Sequence, residues 1–377
     1  MTLQHLDSFA VSNYRFYSDA GMSALQRMYD TSTGQWLHAL WWQQANALET
    51  TIDYSLQTNT NTYTTDIAIT FDHNKSHNFL NAYYDDEGWW AITWIKAYDL
   101  SHRKDYLDMA KTIFNDMANG WDSTCNGGIW WDKYKTYKNA ISNELFLQVA
   151  VRLHQRTPGD TIDSGSGPQH LSYFAWAMME WQWFGKSGMI NSSHLVNDGL
   201  DSSTCQNNGQ NPWTYNQGVI VGALTDMYKV THNPSYLALA EAIANANDKT
   251  NIDAKGVLYE KGCEPGNCGE DAVQFKGIFI KNLYYLYRTD HKRAYKDFII
   301  KNAEAIWAHD RDDSNNLGLH WDGPFDNVEA RRQSSATDTL NAAIALNSHK
   351  LPLQTWNGNS LSYGLPTQRK QLLELVR

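Results

Sequence analysis

Tyr228-Lys229-Val230-Thr231-His232, followed by Tyr236-Leu237-Ala238-Leu239-Ala240, decides the fold class. An apolar-periodic segment ends, a short polar turn intervenes, and a second such segment begins, which is the pattern of an αα-hairpin. The same spacing of paired tyrosines recurs at Tyr98-Asp99-Leu100-Ser101-His102 with Tyr106-Leu107-Asp108-Met109-Ala110, and at Tyr287-Arg288-Thr289-Asp290-His291 with Tyr295-Lys296-Asp297-Phe298. A fourth copy fits Leu153 to Tyr173, with a longer loop through Asp163-Ser164-Gly165-Ser166-Gly167-Pro168.

Outward from these hairpins, helical periodicity covers 9–30, 37–57, 77–100, 104–118, 138–155, 170–185, 214–232, 234–248, 273–289, 293–309, 334–347 and 366–377. These segments make about twelve helices in six pairs. Thr60 to Phe71 is polar and β-branched and reads as a loop or a short hairpin. A hairpin that repeats needs a neighbour to cover its apolar face. Six of them close into an all-α (α/α)6 barrel, with an open solenoid as the alternative. No Pro- or Ser-rich linker divides the chain, so 1–377 is expected to form a single catalytic domain. The loops Asp122 to Trp131, Asn191 to Trp213, Asp253 to Asp271 and Asn315 to Gln333 fall between successive pairs. A toroid gathers them at one end, and function concentrates on loops held by a rigid scaffold.

Composition narrows the partners. The net charge of −10 disfavours nucleic acid and anionic membranes, which reward a basic face. Aromatics are 13% of the chain, with 16 Trp, in a sequence of mean hydropathy −0.57, and this points to an aromatic-lined cleft for a neutral polymer such as a polysaccharide. A core that absorbs these rings is the plainer alternative. No apolar run reaches the ~18 residues of a membrane span. The opening Met1-Thr2-Leu3-Gln4-His5 is no leader peptide, so the chain is either cytosolic or secreted with its leader removed. Cys263 and Cys268, in C-E-P-G-N-C, suit a local disulfide, and Cys125 and Cys205 lie in loop-like sequence. Four cysteines allow three pairings, and zinc is disfavoured because no C-x-x-C half-site occurs. The sequons at Asn74 and Asn191 are compatible with secretion. The histidines show no metal-ligand spacing, and nucleotide-binding and serine-hydrolase motifs are missing, so no metal and no cofactor are expected.

Chemistry concentrates at Tyr83-Tyr84-Asp85-Asp86-Glu87-Gly88-Trp89-Trp90. Glycoside hydrolysis needs two carboxyl groups, one on each side of the scissile bond. An ordinary helix start also carries such acids, because they meet the positive end of the helix dipole. The four flanking aromatics favour the catalytic reading, since a sugar ring needs such walls. Trp42, Tyr84, Trp89, Trp130, Trp131 and Tyr215 are candidate sugar platforms. Asn139, Asp198, Asp201, Asn216, Gln217 and Lys276 are candidate hydroxyl binders, each with a structural alternative as cap, turn or core residue.

These residues resemble glycoside hydrolase family 76, the endo-α-1,6-mannanases. The resemblance rests on Y-Y-D-D-E-G-W-W-A at 83–91, G-G-I-W-W-D-K at 127–133, Y-K-N-A-I-S-N-E-L-F at 137–146, S-G-M-I-N at 187–191, V-N-D-G-L-D at 196–201, W-T-Y-N-Q-G-V at 213–219 and Q-F-K-G-I-F at 274–279. It runs from about residue 10 to 345, and the stretch after Leu346 resembles nothing recognised. It implies an (α/α)6 barrel and retaining hydrolysis of the α-1,6-mannan backbone of cell-wall mannan, with Asp85 as nucleophile and Asp86 as acid/base. The implied partner is α-mannan polysaccharide or oligosaccharide, met by a secreted, monomeric enzyme of mannan catabolism. The alternatives are a cell-wall transglycosidase that passes α-mannosyl glycans to a sugar acceptor, and a non-catalytic mannan-binding protein. An inverting glucosidase and a polysaccharide lyase are more distant; a lyase would want a basic cleft that the charge balance does not suggest.

Overall fold

A computed structural model describes residues 3–165 and 168–347. Its helices run α1 Leu3–Gln26, α2 Trp41–Thr58, α3 Thr64–Asn74, α4 Tyr84–Ser101, α5 Lys104–Ala118, α6 Ala140–Arg156, α7 Tyr173–Phe184, α8 Thr214–Thr231, α9 Pro234–Thr250, α10 Phe275–Asp290, α11 Arg293–His309 and α12 Ala330–Asn347. Two minimal hairpins accompany them, β1 (Tyr29–Asp30) with β2 (Gln35–Trp36) and β3 (Thr161–Ile162) with β4 (Leu171–Ser172), both antiparallel.

The paired tyrosines have a backbone explanation. Each first helix ends on a histidine in the left-handed conformation, with φ of 58° at His102, 54° at His232 and 56° at His291. The histidine N–H donates to the carbonyl of the tyrosine four residues back, at 2.7 Å for Tyr98 and 2.8 Å for Tyr228 and Tyr287. That closes the helix and reverses the chain. The second tyrosine then sits in the first turn of the outer helix, where Tyr106, Tyr236 and Tyr295 are all buried.

Six inner helices touch in a closed ring, α2 to α4, α6, α8, α10, α12 and back to α2. Outer helices lie against them, α3 on α2, α5 on α4, α7 on α6, α9 on α8 and α11 on both α10 and α12. α1 packs on α12, so the start of the chain covers the last inner helix. The architecture is an (α/α)6 barrel. All six inner helices run the same way, so their N-termini share one end with the long connecting loops.

Inner helices are buried on two sides and outer helices on one. The described side chains of α12 are almost all buried, including Gln333, Ser334, Ser335, Asp338 and Asn341. α9 buries only Tyr236, Ala240, Ile243, Ala244 and Asn247, a single stripe. The expected loop or hairpin at Thr60 to Phe71 is corrected to α3, whose Ile67, Thr70 and Phe71 are buried. Gly34 lets this helix approach, since a Cβ there would meet the Thr70 backbone at 2.8 Å. The helix expected at 366–377 lies outside the described residues. α4 begins at Tyr84 rather than 77, because Asn78 and Phe79 take positive φ and break the run.

Candidate active site

Asp85 and Asp86 lie in the first turn of α4, at the loop-bearing end of the barrel. The chain enters α4 through an Asn turn. The Asn81 side-chain oxygen accepts the Tyr83 N–H at 2.8 Å, and its amide nitrogen donates to Asp86 Oδ2 at 2.5 Å. The loop after α5 is stitched to this entry. Tyr84 N–H donates to the Trp131 carbonyl at 2.8 Å, and Lys133 N–H to the Ala82 carbonyl at 2.9 Å. This pairing delivers the Trp131 indole N–H to Asp85 Oδ2 at 2.9 Å. The Asp86 backbone N–H adds a second donor, to Asp85 Oδ1 at 3.0 Å.

Both carboxyls are half-buried in solvent terms yet closely surrounded by protein. Burial raises Asp85 well above the usual carboxylate range, and the charge of Asp86 raises it further, against the pull of its two donors. Burial lifts Asp86 to about 7, with Asn81 opposing and Asp271 assisting. The charge of each carboxyl disfavours ionisation of the other. The helix N-terminus favours negative charge here, but only by ~0.3–1 kcal/mol, and desolvation outweighs it. Next along the helix, Glu87 is fully buried, held by Lys133 at 2.8 Å, and raised by burial to about 9.

Tyr215 stands across from the pair. Its ring stacks on Phe275 at 3.8 Å, and its hydroxyl is raised well above 10, by burial first and then by Asp198, Asp85, Glu144 and Asp271. Asp198 is half-buried; it accepts Tyr137 Oη at 2.8 Å, and its carbonyl takes the Ala140 N–H at 2.7 Å. Gly199 permits this contact, since a Cβ there would lie 2.4 Å from Tyr137 Oη.

Trp131 therefore bonds to the Asp pair, and the Tyr215 hydroxyl lies close enough to feel both Asp85 and Asp198. Trp42 and Trp89 stack at 5.8 Å beneath the pair, and the Trp42 indole donates to Asp271 at 2.9 Å. Both tryptophans are buried, so they floor the site rather than offer an open face. The other candidates serve the scaffold. Tyr84 is buried against Gly120, where a Cβ would sit 2.7 Å from its ring. Trp130 donates to Asp122 at 2.8 Å and stacks under Lys138. Asn139 caps α6 by accepting the Ser142 N–H at 3.2 Å. Gln217 clamps Val196 through both its N–H and its carbonyl, each at 2.8 Å. Lys276 is buried, paired with Glu264 at 2.6 Å and donating to the Leu319 carbonyl at 2.6 Å. Asp201 is exposed, and its Oδ1 is taken up by Ser203 and Thr204 in a turn that holds it at about 2. Asn216 is fully buried, and neither of its amide atoms has a hydrogen-bond partner.

Two residues of the site were missed by sequence reasoning. Asn81 could have been found from the Asn-x-Tyr turn ahead of the acidic helix start. Asp271 ends a loop already singled out, but only the fold shows that it meets Trp42. The rim loops are joined by a Cys125–Cys205 disulfide, and Cys263–Cys268 closes a local loop, so all four cysteines are paired. No group of metal-ligating side chains occurs among the described residues, and no described helix is long and apolar enough to cross a membrane.

Known proteins resemble this chain in sequence and in fold. A putative mannan endo-1,6-alpha-mannosidase of Schizosaccharomyces pombe is 26% identical over 66% of this chain and 58% of its own length. A mannan endo-1,6-alpha-mannosidase of Candida albicans is 27% identical over 64% of this chain and 57% of its own. The chain thus matches little more than half the length of these relatives. The GH76A α-1,6-mannanase of Salegentibacter has the same fold, with a TM-score of 0.78 at 22% identity over 88% of this chain and 99% of that one. The sequence profile of glycosyl hydrolase family 76 matches residues 6–355, and the chain belongs to that family.

Proposed function

We propose that this protein cleaves the α-1,6-linked backbone of mannan by a retaining double displacement, with Asp85 as nucleophile and Asp86 as acid/base. The observation that carries the reading is the unequal hydrogen bonding of two adjacent, closely surrounded carboxyls. Asp85 takes two N–H donors, which favour the anion, whereas Asp86 takes one; burial raises both carboxyls, and Asp86, at about 7, is within reach of an acid's role. In the first step Asp86 gives its proton to the glycosidic oxygen as Asp85 bonds to the anomeric carbon and the aglycone leaves. In the second, Asp86 takes a proton from water, whose oxygen displaces Asp85. Trp131, Tyr215, Asp198 and Asp271 are the groups placed to meet the sugar rings.

Supporting this, an inactive Salegentibacter variant with two consecutive aspartates changed to asparagine was obtained with α-1,6-mannotriose bound. The two disulfides support action in an oxidising, extracellular setting. The transglycosidase reading differs only in whether water or a sugar hydroxyl meets Asp86. The test is incubation with unbranched α-1,6-mannan, with and without an added mannooligosaccharide acceptor, beside Asp85→Asn. Short oligosaccharides that first appear as the α-anomer, and none from the variant, are expected. Longer products with acceptor would select transfer, and an active Asp85→Asn would remove Asp85 from the mechanism.

A further inference from the structure

A large cavity among the described residues lies away from the carboxylate pair. It occupies about 1630 Å³ at the opposite end of the barrel. Its walls come from the C-terminal halves of α2, α4, α6 and α10, from Asp338 and Ala342 of α12, and from the segment 59–62 after α2. Lys96 on its wall lies eleven residues along α4 from Asp85, about 16 Å at the helical rise. Trp89, which also stacks on Trp42, stands between the two ends.

The chemistry of the walls excludes most ligands. The lining mixes charged, amide and hydroxyl groups with apolar faces of Trp89, Ile92, Tyr284 and Tyr285 in similar measure, so a wholly apolar molecule would have to strip water from the polar part. A strongly charged ligand finds its counter-charges already engaged. Lys96 binds Glu49 at 2.8 Å and Asp53 at 2.7 Å. Lys281 pairs with Glu49, Arg156 with Asp99, and Arg152 with Asp226 at 2.9 Å. Arg288 is the one wall cation with no carboxylate partner among the described residues, and it is exposed at the mouth. It stands beside the C-terminal end of α10, whose partial negative charge offsets part of its own. Of the wall amides, Gln148 donates to Asn282 at 3.4 Å and Asn282 to the Ile278 carbonyl at 2.9 Å, while the Gln155 amide nitrogen and the Asn61 side chain have no hydrogen-bond partner among the described residues and can meet a ligand. Such a wall suits a neutral polyol, whose hydroxyls both donate and accept. The volume exceeds the roughly 300–1,000 Å³ typical of sites for drug-sized ligands, so it has room for several rings.

We propose that this far chamber is a second oligosaccharide site, binding a neutral mannan chain remote from the Asp pair. The choice of mannan rests on the function proposed above. Such a site would hold the polymer while the other end cuts it.

The test is titration calorimetry of α-1,6-mannotetraose into the doubly substituted Asp85→Asn, Asp86→Asn protein, repeated with Arg288→Ala and with Asn61→Trp added. Both added positions are exposed, so the fold should survive. Two binding sites per chain are expected. Each added change should weaken one of them at least tenfold and leave the other within twofold. A single site, insensitive to both changes, would overturn the inference while leaving the mannan reading intact. A chamber saturated by inorganic phosphate and indifferent to mannotetraose would overturn it too. No binding at either end, together with no cleavage of mannan by the parent protein, would sink both readings.

Discussion

At the scale of single residues, two neighbouring aspartates are told apart by their donors. Trp131 and the Asp86 N–H both reach Asp85, while Asn81 alone reaches Asp86. On the proposed mechanism Asp85→Asn removes the nucleophile and should lower kcat on mannan by at least ~10³-fold. In Trp131→Phe the indole donor is gone, so the Asp85 carboxyl rises and the acid limb of the pH–rate profile should move to higher pH. The accompanying fall in kcat/KM should be roughly 10- to 100-fold, as for a hydrogen bond to a charged group; an unmoved acid limb would show that the indole does not act on Asp85. Asp271 works on the other partner. Its charge helps hold Asp86 up at about 7, so Asp271→Asn should lower that value and move the alkaline limb down by up to about one pH unit. The limb falls because the protonated acid is lost as pH rises through its pKa. A kcat/KM profile across pH 4–9 reads both variants.

At the scale of elements, the site is built where an inner helix begins and an inter-hairpin loop folds back on it. Two such loops, one carrying Trp131 and the other Asp198, are tied by Cys125–Cys205 across 80 residues of chain. Cross-linking so long a loop restrains the unfolded chain, by a typical 2–4 kcal/mol. The double variant Cys125→Ser, Cys205→Ser should therefore melt several degrees lower in scanning calorimetry. KM for mannan should rise while the product pattern stays the same. An unchanged melting temperature would mean that the loops are held by their hydrogen bonds alone.

At the scale of the whole molecule, the barrel carries carboxyls that its interior keeps neutral. Asp310, fully buried and with neither carboxyl oxygen hydrogen-bonded, is raised by burial to about 9, against the pull of Lys276. Its unfolded value is near 3.9. The stability it contributes is complete below pH ~4 and is lost as pH rises through 9, at up to about 1.4 kcal/mol per pH unit. Asp310→Asn should flatten the fall of Tm between pH 5 and 8.5 and leave the variant more stable than the parent at the alkaline end. Thermal melts across that range check it, and parallel curves for the two proteins would rule Asp310 out as the source.

The sequence by itself determined the hairpins, because a tyrosine–histidine turn followed by a buried tyrosine is a local device that needs only the few residues of one turn. It determined the family, and it made Asp85–Asp86 the candidate pair, because adjacent acids at a helix start among aromatics form a contiguous signal. It misread α3, whose polar, β-branched residues weigh against a helix until Ile67, Thr70 and Phe71 find cover. It could not sort the candidate binders, because Trp130 and Trp131 are neighbours in sequence and differ only in what surrounds them. One is bonded to Asp122 inside the scaffold and the other to Asp85 at the site. The same holds for Asp198, which is half-buried beside the site, and Asp201, which is exposed in a turn. Asp271 and the far chamber arise only when helices distant in the chain close the ring. Their chemistry depends on burial and on which charges meet across that ring, and neither is encoded in any local stretch of sequence.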